Sequence, residues 1–234
     1  MMDNPYGTTP EQLGVRPAPA LAQRFLTHAF GWMFVGTLLT AGVAFAVQSS
    51  PTLTQFAGRA YLFLFIGQIA IAWAIGGAIK RLSATAALGL FFVFAASFGL
   101  TVGLIVQYYT SASVTTAFVG AAAMYGAAAI YGATTKRSLT SLGPILMMGL
   151  IGILVVSLLN LFLLHSSQAS WVISIIGVVI FTALTAYDVQ RIQNGTFAAA
   201  IGSMEKAAVV GALVLYLDFI NLFLFLLRLT GGRR

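Results

Sequence analysis

Apolar stretches of about twenty residues recur seven times along this chain of 234 residues, joined by short connections, so almost every residue is committed to a membrane span or its turn. No room remains for a separate soluble catalytic domain. Hydrophobic residues make up 59% of the chain and charged residues 7%, the balance of a polytopic membrane protein. An all-α architecture follows, because hydrocarbon offers backbone amides no partners and a helix satisfies its own.

The spans are read at 28–48, 60–79, 84–109, 114–134, 139–164, 169–188 and 207–229, within a single seven-helix transmembrane domain over residues 23–234. Residues 1–22, with Pro5, Pro10, Pro17 and Pro19, read as a disordered tail. They lack the charged-then-apolar order of a cleavable signal, so the first span is expected to act as an uncleaved anchor. Its Gly31, Gly36 and Gly42 permit close helix contacts, as do Ala122 with Gly126 and Ala128 with Gly132 in the fourth span. Gly143 and Pro144 are placed to open the fifth helix.

The formal charge of +7 does not point to nucleic acid, because the basic residues flank spans in pairs, where they orient helices and meet anionic headgroups. With the N terminus in the cytoplasm, Arg16, Arg24, Lys80, Arg81, Lys136, Arg137, Arg191 and Lys206 fall inside and Arg59 outside. Arg228, Arg233 and Arg234 dissent, unless the last segment is re-entrant. Cysteine is absent, which excludes disulfides, thiolate metal sites, thiol nucleophiles and palmitoylation.

Against this background two acids stand out, Asp188 and Asp218, inside the last two apolar segments. A carboxylate at hydrocarbon depth costs about 2.5–3.5 kcal/mol on insertion scales and normally faces a protein interior or an aqueous cavity. Proton or cation handling is the first expectation. The structural alternatives are an interfacial Asp188 paired with Arg191 one turn on, and an Asp218 held in place by Asn221 on its own face. Asn221, Asn160 and Gln68 are read as supporting polar groups, with interhelical hydrogen bonding the commoner role of an asparagine there. His28 and His165 lack a second ligand at metal spacing.

The motif Ala186-Tyr187-Asp188-Val189-Gln190 and the run Leu215-Tyr216-Leu217-Asp218-Phe219-Ile220-Asn221-Leu222-Phe223 resemble the signatures of the Bax inhibitor-1 family, the transmembrane Bax inhibitor motif proteins. The resemblance extends from the first span to the last, and a bacterial member is the nearest match. It implies a bacterial inner-membrane protein of seven helices with the C-terminal helix at the centre. It also implies a pH-sensitive calcium leak whose proton sensor is a hydrogen-bonded aspartate pair, here Asp188 with Asp218. Calcium would be a permeant, transiently bound ion on those two acids, with Lys80, Arg81 and Arg191 as candidate latches. Gln68 stands where some members carry an acid, which weakens any strong calcium site. Spacing alone leaves the two acids at unequal depths, since Asp188 precedes Arg191 by three residues while Asp218 lies eleven residues into its span, about 16 Å.

Enzyme chemistry finds no foothold: there is no His-Glu-x-x-His, no Gly-x-Ser-x-Gly and no phosphate-cradling glycine loop. An intramembrane aspartyl protease would match Tyr187-Asp188 but needs Gly-x-Gly-Asp where Leu215-Tyr216-Leu217-Asp218 stands. The non-enzymatic alternatives are a non-conducting membrane protein that modulates membrane proteases or other membrane proteins, and a proton-coupled transporter. Lipid bilayer, calcium, protons and other membrane proteins are the expected partners, with no tightly bound cofactor.

Overall fold

Five of the helix starts are set by a hydroxyl that caps them. Ser50, Ser83, Thr110, Ser166 and Ser203 each stand in extended backbone and accept a hydrogen bond from the amide three residues on, satisfying a donor the first helical turn leaves over. The computed structural model describes residues 19–232, with side chains from residue 23, and its elements follow these starts. They are α1 (Pro19–Ser49), α2 (Pro51–Arg59), α3 (Tyr61–Gly77), α4 (Ala84–Val106), α5 (Ser111–Thr134), α6 (Gly143–Leu159), α7 (Ser167–Gln193), α8 (Thr196–Ile201) and α9 (Met204–Thr230). No strand occurs among the described residues. Gly143 and Pro144 open α6 as expected, and a π-helical turn, Asn160–Leu164, closes it at a left-handed His165 (φ 48°).

Six helices are long and apolar enough to cross a membrane, and the count reaches seven when α2 and α3, bent by 69° at Ala60, are taken as one span. Taken so, the second span starts at Pro51, earlier than its 60–79 reading, ends at Gly77 and is broken at Ala60. The sixth runs past 188 to Gln193, which moves Asp188 from the end of its helix to the interior. At the N terminus α1 already begins at Pro19, inside the expected tail; residues 1–18 lie outside the described residues.

The bundle is organised around α9, which touches α1, α3, α4, α5, α7 and α8. Its apolar window is 67% buried, against 17% for the span that contains α6. The C-terminal helix is thus the axis and α6 an outer member. Glycines set the closest approaches: a Cβ at Gly36 would meet the Phe91 ring at 2.6 Å, one at Gly99 the Thr40 carbonyl oxygen at 2.8 Å, and one at Gly132 the backbone of Ala186. Gly31, Gly42 and Gly126 meet nothing and face outward with Ala122, so only part of the expected small-residue contact is used.

Arg24, Lys80, Lys136, Arg137, Arg191 and Lys206 gather at one end. Gln190 donates to the Arg137 carbonyl (2.9 Å), Lys206 donates to that of Lys80 (3.2 Å), and Arg24 shares a cleft with Glu205. Arg228 reaches the opposite end, beside Gly58, Tyr108 and Tyr109. The last helix therefore crosses the whole bundle without re-entering.

Candidate functional site

The depth mismatch between the two acids is resolved by how far α9 extends beyond α7. Ile192 packs on Gly211 (a Cβ there would lie 3.2 Å from Ile192 Cδ1), and Phe225 on Gly177, which fixes an antiparallel register. Counting four residues back from Ile192 and four on from Gly211 sets Asp188 level with Leu215. Asp218 is three residues further, about 4.5 Å along the axis. The N terminus of α9 accordingly projects past Gln193 by some six residues, about 9 Å. That overhang brings Asp218 within range of Asp188.

Both acids are almost sealed, Asp188 at 5% exposure and Asp218 at 4%. They lie near enough to act on each other electrostatically, and both act on the phenol of Tyr125 from α5. Their surroundings differ. Asp188 Oδ1 accepts from Arg191 Nη1 at 3.1 Å, an ion pair one turn apart on α7. The Arg191 guanidinium is itself spread over two rings, 5.1 Å from the centre of Tyr187 and 4.5 Å from that of Phe197 on α8. Asp218 Oδ2 is buried with no hydrogen-bond partner among the described residues. Tyr125 is buried against Phe219 (ring centres 5.5 Å apart) and donates to Met33 Sδ, at 3.4 Å.

The other expected site residues disperse. Asn221 does not reach Asp218: its Nδ2 turns back to the Leu217 carbonyl (2.7 Å), the acceptor that a helix always offers at i−4 in a dry bundle. Asn160 is a local tie, donating to the Ser166 carbonyl (3.1 Å) and Ser170 Oγ (2.7 Å) while accepting from the Ser166 amide (3.0 Å). Gln68 joins α3 to α4 through the Ser97 carbonyl (3.0 Å) and Thr101 Oγ1 (2.9 Å). Lys80 and Arg81 are exposed on the turn after α3, and neither pairs with Asp188 or Asp218. Of the three candidate latches, Arg191 is the one in contact.

Two polar features escaped the sequence reading. Gln190 is buried and clamps the turn before α6, accepting from the Leu139 amide (2.7 Å) as it donates to Arg137. Tyr216, fully buried among Phe91, Phe94 and Phe98, shares a hydrogen bond of 2.7 Å with Thr40, whose hydroxyl also lies 2.8 Å from the Ala95 carbonyl. A tyrosine in mid-span was the signal, since a buried phenol needs a partner.

As a metal site the pair is sparse. Among the described residues no cluster of three or more His, Cys, Asp or Glu side chains forms. Two carboxylates supply hard oxygens, one of them unengaged, for an ion that wants six to eight.

Comparison with known proteins places the chain in a family. The family model described as inhibitor of apoptosis-promoting Bax1 matches residues 22–234. The inner membrane protein YbhL of Escherichia coli K12 is 42% identical over 94% of this chain and 96% of its own. An uncharacterized protein of Borreliella burgdorferi is 39% identical over 92% and 94%, and one of Rickettsia prowazekii 35% over 91% of each. With the family model covering the chain from α1 to its end, this all-α membrane protein belongs to the Bax inhibitor-1 family.

Proposed function

We propose that the protein is a pH-sensitive calcium leak of a bacterial inner membrane, its N terminus cytoplasmic, with Asp188 and Asp218 as the proton-sharing sensor. The observation that carries this reading is the unpartnered, buried Oδ2 of Asp218 beside a second buried acid. Two carboxyls in so dry a site cannot both ionise cheaply, so they hold a proton between them. When that proton leaves, the repulsion is relieved by separating α7 from α9 or by admitting a divalent cation. Proton and calcium therefore compete for the same oxygens. Arg191 favours the ionised form of Asp188 and acts as the latch. The relative named as an inner membrane protein and the basic end of the bundle support the location and orientation. No catalytic group and no bound cofactor are needed.

Purified protein in liposomes, assayed for calcium entry at several pH values between about 6 and 8, tests the reading beside Asp218→Asn and empty vesicles. We expect a pH-dependent flux in the wild type whose pH response disappears in the folded mutant. Wild-type flux equal to that of empty vesicles would sink the leak and leave a non-conducting interaction protein in its place.

A further inference from the structure

At the basic end, away from the two aspartates, α1 between Arg24 and Trp32 and the first turns of α4 and α9 splay around a cleft of about 470 Å3. That volume falls in the usual range for small-molecule sites, roughly 300–1,000 Å3. Its lining changes character with depth. Arg24, His28 and Glu205 stand at the mouth, all exposed; Phe25, Leu88, Val209 and Trp32 form the wall below. From Arg24 to Trp32 the cleft follows α1 for eight residues, about 12 Å along the axis. Trp32 is held in place edge-to-face on Phe92, with ring centres 6.0 Å apart. Charge above and hydrocarbon below is the profile of a phospholipid at an interface, and the mouth offers both signs of charge. Arg24 suits a phosphate, and the Glu205 carboxylate suits a cationic group that can donate hydrogen bonds.

We propose that this cleft binds a zwitterionic phospholipid with a primary ammonium headgroup, phosphatidylethanolamine, its phosphate on Arg24 and His28, its ammonium on Glu205 and an acyl chain along Trp32 and Leu88. A phosphatidylglycerol headgroup would leave Glu205 facing a hydroxyl. A phosphatidylcholine headgroup carries the positive charge but no N–H to donate. The site thus selects by hydrogen bonding as well as by charge. It stands apart from the aspartates and does not depend on the leak.

The test uses the full chain carrying Trp73→Phe and Trp171→Phe, so that Trp32 is the sole indole, in phosphatidylcholine bilayers doped with lipids brominated on the acyl chain. Quenching of Trp32 is titrated separately with brominated phosphatidylethanolamine, phosphatidylglycerol and phosphatidylcholine. The ethanolamine lipid is expected to half-saturate quenching at a mole fraction roughly fivefold lower than the choline lipid, a ratio worth about 1 kcal/mol. Glu205→Gln should erase that preference, and Arg24→Gln should weaken binding of all three lipids. Arg81→Gln, exposed at the same end but outside the cleft, should change nothing and controls for general surface charge. Equal quenching by the three lipids in the parent protein, or a preference untouched by Glu205→Gln in a protein that elutes as a folded species, overturns the proposal.

Discussion

Asp188 and Asp218 have the same carboxyl and opposite circumstances, and their substitutions should diverge accordingly. Asp188→Asn strips Arg191 of its ion-pair partner; Arg191 is one-third exposed, so the loss is moderated by solvent and should be about 1 kcal/mol. Asp218→Asn keeps the shape, removes an acid whose Oδ2 is unpartnered, and should leave stability unchanged or raise it. Thermal unfolding of the two variants in detergent at neutral pH checks this, and the ranking Asp188→Asn below wild type and Asp218→Asn at or above it is the expected result. The identity of both acids was legible in the sequence because a charge in an apolar run is conspicuous. The partner of Asp218 was not: Asn221 lies on the same face, but a single side chain chooses among acceptors by fractions of an ångström, and its own helix supplied the nearer one.

At the scale of the element, glycines decide which helices approach and which stay apart. Gly132 on α5 sits against the backbone of Ala186, whereas Gly126 on the same helix opens outward. Gly132→Ala should therefore cost about 1–3 kcal/mol through overpacking against a neighbour that cannot rotate away. Gly126→Ala should be neutral to slightly stabilising, by the better helix propensity of alanine. Melting temperatures of the paired variants test the contrast. In sequence the two glycines are equivalent, each four residues after an alanine, and only the orientation of α5 toward α7 tells them apart. The start of α6 was legible, since Gly143-Pro144 acts locally; the capping hydroxyls act as locally but were not read as helix starts. The 69° bend between α2 and α3 and the extension of α7 past Asp188 were not legible, because both depend on what the segments pack against.

For the whole molecule, the clustering of Arg24, Lys80, Lys136, Arg137, Arg191 and Lys206 at one end predicts that this end faces the cytoplasm. The chain contains no cysteine, so single introduced thiols can report on it without background. Gln55→Cys, exposed on α2 at the far end, should react with an impermeant maleimide added to intact spheroplasts. Ser138→Cys, exposed beside Arg137, should react only after permeabilisation. The reverse pattern would invert the topology. The number and order of spans could be read directly from the chain because a bilayer demands a fixed apolar length. The arrangement of those spans around α9 could not be read from composition, for all of them are similarly apolar.

That arrangement sets the order in which the protein can be made. A chain emerging from the ribosome delivers α1 before α9, yet α9 is the member on which α1, α3, α4, α5, α7 and α8 converge. Until it arrives, the earlier helices can insert and pair, as α1 does with α4, but the element they share is missing. A nascent chain halted before Met204 is a set of inserted segments without a centre, and α9 supplies that centre.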